Sequence, residues 1–197
     1  MELILIRHGL PIRRELSSGR ADPPLSETGH DQANRVGNYL QSEAIDAVYA
    51  SPMQRASQTA QPYATLAGHS IRHHEGIVEM DRDASSYVPV EELKQQDYAA
   101  WQAIAERDFG ASRSGRAFAK TVIDALESIV AEHKGQRIAA FCHGGVINMW
   151  ASHVLGLKPG FFFEPHYTSV HRFLCAGSGE RNILSLNETP HLRDLPA

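Results

Sequence analysis

Three apolar runs in this chain end in arginine, histidine, serine and glycine, residue types that together suit an anion. Leu3-Ile4-Leu5-Ile6 runs into Arg7-His8-Gly9, and Arg137 to Cys142 runs into His143-Gly144-Gly145. Ile45 to Ala50 runs into Ser51-Pro52, with Arg55 one turn further on. Guanidinium groups offer paired donors whose spacing matches phosphate oxygens. Helices starting after Ser51 and after Gly144 would aim backbone N–H groups at the same place, which favours an anion. Two arginines, two histidines and these helix starts make a site for a dianionic phosphate, provided the three runs end at one edge. Singly, each part has an ordinary reading. Arg-His-Gly is a common tripeptide, Arg55 could be a solvated helix residue and His143 a turn residue. Ordinary readings leave the joint placement at three strand ends unexplained.

The elements between these runs say whether the edge exists. None of the three runs has a helical period, so each reads as a strand buried on both faces. Ser26 reads as an N-cap with Glu27 behind it, and Ala33, Val36, Tyr39 and Leu40 carry a helix to about Gln41. Ser51-Pro52 reads as a cap followed by proline at the first helical position, with that helix bent or ended near Pro62. Ser70 to His74 is a weak strand. Val90 to about Arg107 has Leu93, Tyr98, Trp101 and Ile104 on its apolar side, and Gly110 to Gly115 reads as a flexible connection. Ala117 to Glu132 is a stronger helix stopped by Gly135, and another runs from Val146 to near Gly156. Thr168 to Cys175 and Asn182 to Leu186 are later strands suited to a sheet edge, and the polar tail from Asn187 is expected on the surface. Strands alternating with helices imply an α/β fold: a three-layer α/β/α sandwich with a mainly parallel sheet and helices on both faces. With 197 residues and no linker or repeat, residues 1–197 are expected to form one domain.

Composition narrows the partners. The net charge of -4 argues against a nucleic-acid binder working through bulk positive charge. Affinity for anions must then come from locally placed Arg and His. No apolar run approaches a membrane span and no signal sequence is evident, so a cytoplasmic protein is expected. Cys142 and Cys175 lie in apolar stretches and read as buried thiols. His73-His74-Glu75 is the nearest thing to a metal cluster and reads as a surface strand end, so neither metal nor other cofactor is expected.

The ordered motifs resemble the histidine phosphatase superfamily, the phosphoglycerate mutase-like family. Leu5-Ile-Arg-His-Gly9 is similar to its N-terminal signature, and Asp22-Pro-Pro-Leu-Ser-Glu-Thr-Gly29 with Gln32-Ala33 to its first helix start. Ser51 to Ala60 is similar to the stretch around its second arginine, Ile77-Val-Glu79 to the segment carrying its acid, and His143-Gly-Gly145 to its second histidine. The resemblance implies a metal-independent phosphatase of small phosphate monoesters, with His8 as nucleophile forming a phosphohistidine. It implies that Arg7, Arg55 and a protonated His143 hold the phosphoryl oxygens, with Gly144 beside them, and that Glu79 is the general acid and base. Departures fall around the core: Leu10-Pro11 after the His-Gly pair, Arg14 where asparagine is frequent, and Met80-Asp81-Arg82-Asp83 after the acid. Asp81 is therefore a reserve for the acid, and Arg13 or Arg14 a candidate outer contact to phosphate or substrate. Selectivity is expected from the loop after His8, from Glu79 to Pro89, and from Phe161 to Tyr167, where His166 could sit over the pocket. The expected partner is a small phosphorylated metabolite, with the oligomeric state open. Phosphoglycerate mutase-type transfer and a non-catalytic phosphate-binding module are the competing readings.

Overall fold

The computed structural model describes residues 1–106 and 109–194. Its centre is strand β1 (Glu2–Arg7), in which Leu3 to Ile6 are fully buried. Successive strand side chains point to opposite faces, and here each face finds its own helices. Ile4 and Ile6 pack with Val36 and Leu40 of α1 (Glu27–Leu40) and Ala60 and Tyr63 of α2 (Gln54–Ala67). Leu3 and Leu5 pack with Val122 and Leu126 of α5 (Arg113–Glu132) and Val146 and Ile147 of α6 (Gly144–Leu155). Two helical layers thus enclose one sheet, as the alternation of elements predicts.

The sheet has six strands, with β1 in its interior. Strands β4 (Ile71–His73), β3 (Ala47–Ala50) and β6 (Arg137–Cys142) run parallel to β1, whereas β7 (Val170–Cys175) is antiparallel to β1 and to β8 (Arg181–Glu188), and the order across the sheet is β4-β3-β6-β1-β7-β8. Arg7 pairs with Cys142 and Ala50 with Phe141, so His8, Ser51 and His143 leave the sheet at nearly one level. After β1 the chain reaches α1 on one face; after the adjacent β6 it reaches α6 on the other. Neighbouring strands that part in this way open a crevice at their carboxyl ends, where α/β sheets bind ligands.

Five local expectations need correction. Helix α2 begins at Gln54 with an extended Met53 as its cap, not at Ser51-Pro52. The Ser51 hydroxyl is engaged with His143, and the Asp22 carboxylate accepts the Gln54 N–H from across a loop at 3.1 Å. Pro62 does not end α2, which runs through it to Ala67; there α1 approaches so closely that a Cβ on Gly37 would lie 3.2 Å from Pro62 Cβ. The Val90 to Arg107 stretch is two helices, α3 (Val90–Gln96) and α4 (Tyr98–Ala105), because Asp97 turns its carboxylate onto Ala100 N–H and starts the second; Arg107 lies outside the described residues. The Gly110 to Gly115 stretch is partly helical, α5 starting at Arg113 under a Ser112 cap, with Gly115 against the Phe109 backbone. Past Asn187, His191 stacks on Tyr39 with centroids 5.5 Å apart, so that part of the polar tail is docked. A short ladder of β2 (Arg14–Glu15) and β5 (Ser86–Tyr87) closes the loops above the crevice. Cys142 and Cys175 are free and buried. Among the described residues no helix is long and apolar enough to cross a membrane.

Candidate active site

Strand β1 delivers His8 to the crevice almost fully buried, at 3% exposure. Its Nδ1 lies 2.8 Å from the Gly9 carbonyl oxygen, which can only accept, so the ring proton sits on Nδ1. That leaves a lone pair on Nε2, and the Arg55 Nε–H points at it from 3.3 Å. Burial first, then the charges of Arg55 and Arg7, hold His8 well below the ordinary histidine range. The imidazole is therefore neutral near pH 7, a nucleophile needing no base.

The two arginines are fixed on their flanks. Arg7 donates to the Pro165 carbonyl and lies over the Tyr167 ring, its guanidinium carbon 3.9 Å from the centroid. Arg55, wholly buried, pairs with Asp81 at 3.1 Å and lies over the Tyr87 ring at 4.7 Å. Arg7 Nε and Arg55 Nη1 are buried without a hydrogen-bond partner among the described residues. Buried donors left unsatisfied are costly and mark a place where an acceptor belongs.

His143 at the end of β6 is fully buried, its ring centroid 5.1 Å from that of His8. Its Nε2 meets the Ser51 hydroxyl at 2.9 Å, and that hydroxyl already accepts from Met53 N–H at 3.3 Å. The other ring nitrogen of His143, Nδ1, is buried with no hydrogen-bond partner among the described residues. The expectation of a protonated His143 is corrected here. Burial, then Arg55, His8 and Arg7, lower its pKa well below 6.5, so it serves as a neutral donor unless a dianion offsets the arginines.

Glu79 follows the 3₁₀ turn Glu75–Ile77 and is clamped at both oxygens. Oε1 accepts from Met80 N–H at 2.9 Å and Oε2 from Gly145 N–H at 2.8 Å. Burial first, then the Asp81 carboxylate, raise its pKa, against the two N–H bonds and Arg55. A carboxyl raised in this way can hold a proton for a leaving group. Asp81 is committed to Arg55.

A cavity of about 750 Å³ opens over Arg7, His8, Arg55, Glu79 and Gly144. His143 is not part of its lining. Nor are Arg13 and Arg14: Arg13 is exposed and tied to Glu15 and Glu92, and Arg14 donates to the Asp22 carbonyl at 3.2 Å. The structure does not bring them to the cavity as an outer contact: Glu15 of β2 and Glu92 of the helix Val90–Gln96 hold Arg13, and a backbone carbonyl holds Arg14. His166 also lies outside the lining, whereas Phe161 to Pro165 contribute to it. His73 meets the Ser57 hydroxyl and His74 accepts from Gly76 N–H. Among the described residues no group of three or more His, Cys, Asp or Glu side chains is placed to hold a metal. Sequence reading missed Ser51 as the His143 partner, Asp22 as the distant cap of α2, and Tyr87 and Tyr167 as supports of the arginines. Asp22 stood in the quoted Asp-Pro-Pro-Leu motif; the tyrosines carried no signal, being single aromatics in loops.

The family model described as histidine phosphatase superfamily (branch 1) matches residues 3–189. The chain belongs to this superfamily. It is 28% identical over 206 residues to phosphoserine phosphatase 1 of Hydrogenobacter thermophilus, covering 98% of this chain and 94% of that protein. It is 30% identical over 160 residues to phosphoglycerate mutase-like protein 4 of Arabidopsis thaliana, covering 74% and 67%. Among solved structures, Bacillus stearothermophilus YhfR matches with a TM-score of 0.77 at 23% identity over 97% of this chain and 98% of that one. A phosphoserine phosphatase of Entamoeba histolytica in complex with phosphoserine matches with a TM-score of 0.75, also at 23% identity, over the same shares. These likenesses place the sheet and its helices in the phosphoglycerate mutase-like fold.

Proposed function

We propose that this superfamily member is a metal-independent phosphatase that hydrolyses phosphate monoesters through a phosphohistidine on His8. One observation carries the reading: His8 is held neutral, Nδ1 tied to Gly9 and the Nε2 lone pair turned toward Arg55, between two buried arginines that each keep an N–H group without a hydrogen bond among the described residues. The Nε2 lone pair attacks phosphorus while the bond from phosphorus to the ester oxygen breaks. Arg7 Nε, Arg55 Nη1 and His143 Nδ1 are the donors for the phosphoryl oxygens, and such positioned charge supplies most of the acceleration in phosphoryl transfer. The Glu79 carboxyl gives its proton to the departing alkoxide. Water then attacks phosphorus, Glu79 takes back a proton, the N–P bond breaks, and inorganic phosphate leaves with His8 restored. The partner is thus a small phosphorylated molecule. Return of the phosphoryl group to a phosphorylated acid, as in a mutase, would need cations beyond the floor of the cavity. Among the described lining residues these are Arg7 and Arg55 alone, both at that floor.

The test is a screen of phosphate monoesters with chelator present. Turnover by the wild type and none by His8→Ala is expected. Activity restored only by added metal, or retained by His8→Ala, would contradict the reading.

A further inference from the structure

The cavity changes character a short way above His8. Its floor is Arg7, Arg55, His8 and Glu79, but its outer walls are hydrocarbon: Leu93 of α3, Trp101 and Ile104 of α4, Phe109, and the run Phe161 to Phe163. Neither α3 nor α4 buries a single residue completely. Their apolar side faces the cavity instead of a core, and Ile104 and Phe162 each keep 43% of their surface exposed. Apolar surface left uncovered in a concave site is surface a ligand can cover.

This wall is built, not draped. Asn148 of α6 accepts the Phe162 N–H at 3.1 Å and donates both to the Phe163 carbonyl at 3.1 Å and to the Gly144 carbonyl at 3.0 Å. One buried side chain thereby ties the aromatic run to the start of α6, beside the catalytic floor. Phe161 packs edge-on against Phe109 with centroids 5.1 Å apart.

The wall's charges point the same way. Lys94 of α3, which is outside the lining, is 3.9 Å from the Glu164 carboxylate and lies over the Trp101 ring at 4.5 Å. Glu164 itself lines the cavity. A substrate carrying a carboxylate beside its phosphate would meet phenyl rings and an acidic side chain there. Burying that charge unpaired is costly, whereas an apolar group would gain the transfer free energy of the area it covers.

We infer that the substrates of this phosphatase are monophosphates of bulky, uncharged, largely apolar alcohols, the phosphate on the Arg7–Arg55 floor and the hydrocarbon against Trp101, Leu93 and Phe161 to Phe163. The inference rests on the phosphatase reading and narrows it. It also separates this chain from the relatives named for phosphoserine, whose substrate bears a carboxylate and an ammonium.

The test compares kcat/KM, with chelator present, for 2-phenylethyl phosphate and n-hexyl phosphate against O-phosphoserine and 3-phosphoglycerate. All four leave as aliphatic alkoxides, so differences report the wall and not the chemistry of departure. The two apolar esters are expected to be about 10- to 100-fold better, mostly through KM. Trp101→Ala is expected to lower the ratio of apolar to acidic ester about tenfold, and Leu93→Arg to lower it by also raising the rate on 3-phosphoglycerate. Equal or better turnover of phosphoserine or 3-phosphoglycerate by the wild type would overturn the inference and leave the phosphatase standing. So would an equal loss on all four esters in Trp101→Ala. Failure of the wild type on every ester, para-nitrophenyl phosphate included, would bring down both.

Discussion

The carboxylate of Glu79 and the backbone of Gly145 are fitted to one another. Oε2 accepts the Gly145 N–H at 2.8 Å, and a Cβ built on Gly145 would stand 2.3 Å from Oε1. The neighbouring Gly144 has no such constraint, since a Cβ there would come no closer than 3.8 Å to Arg7 Nε. Gly145→Ala is therefore expected to push Glu79 out of place and lower turnover of alkyl esters about 10²- to 10⁴-fold, the range of a lost general acid. Gly144→Ala leaves Glu79 in place, so any loss there should be shared by alkyl and aryl esters instead of falling on alkyl esters. Steady-state rates of the two variants, with circular dichroism to show that both are folded, check the contrast.

Replacing Arg7 or Arg55 by alanine is expected to cost about 10²- to 10³-fold in kcat. Lysine should restore only part of it, because a point charge cannot present forked donors or lie flat over Tyr167 or Tyr87. Equal rates for the lysine and wild-type enzymes would show that guanidinium geometry is not used.

Glu79 and Asp81 should separate by leaving group. An aryl phosphate departs without much help, whereas an alkyl phosphate needs a proton. Glu79→Gln should therefore slow phosphohistidine formation from an alkyl ester far more than from para-nitrophenyl phosphate. Asp81 is the partner of Arg55 at 3.1 Å, so Asp81→Asn should give a modest loss shared by both esters. Because Glu79 must be protonated in this step and its pKa is raised, the step should slow as pH climbs through that raised value.

The sheet and its catalytic edge were legible because β1, β3 and β6 are buried on both faces, and burial of that kind writes itself as unbroken apolar runs. Leu3 to Ile6 and Ile138 to Cys142 need no context to be read as strands. What the sequence hid depends on contacts between distant residues. Asp22 caps α2 from 32 positions away, so local capping rules misplaced the helix start at Ser51. Arg13 and Arg14 looked free to reach a substrate, but their partners come from Glu92 in α3 and from a backbone carbonyl. Aromatic residues at Tyr87 and Tyr167 acquire meaning only when two arginines lie over them.

Acid should destabilise the fold by a definite route. His8 and His143 are held well below 6.5, first by burial and then by nearby cations; His171 is lowered to about 3 by burial and Arg7, and His191 to about 4 chiefly by burial. The unfolded chain takes up protons at these positions near pH 6.5, where the folded chain refuses them. Stability should therefore fall as pH drops below about 6.5, by up to ~1.4 kcal/mol per pH unit for each such group. Glu79, with its raised pKa, works the opposite way, one group against four. Urea midpoints from pH 7.5 to 4.5 should show the decline; a flat profile would contradict the buried neutral histidines.

The central claim is that the phosphoryl group passes through Nε2 of His8. The direct measurement is a single turnover with enzyme in excess over a ³²P-labelled monoester, quenched in alkali, where phosphohistidine survives, and mapped by mass spectrometry. The account predicts label on His8 that rises faster than inorganic phosphate appears, decays as phosphate forms, and is absent from His8→Ala. Phosphate released at full rate with no labelled protein, or label on His143 or another side chain, would contradict it.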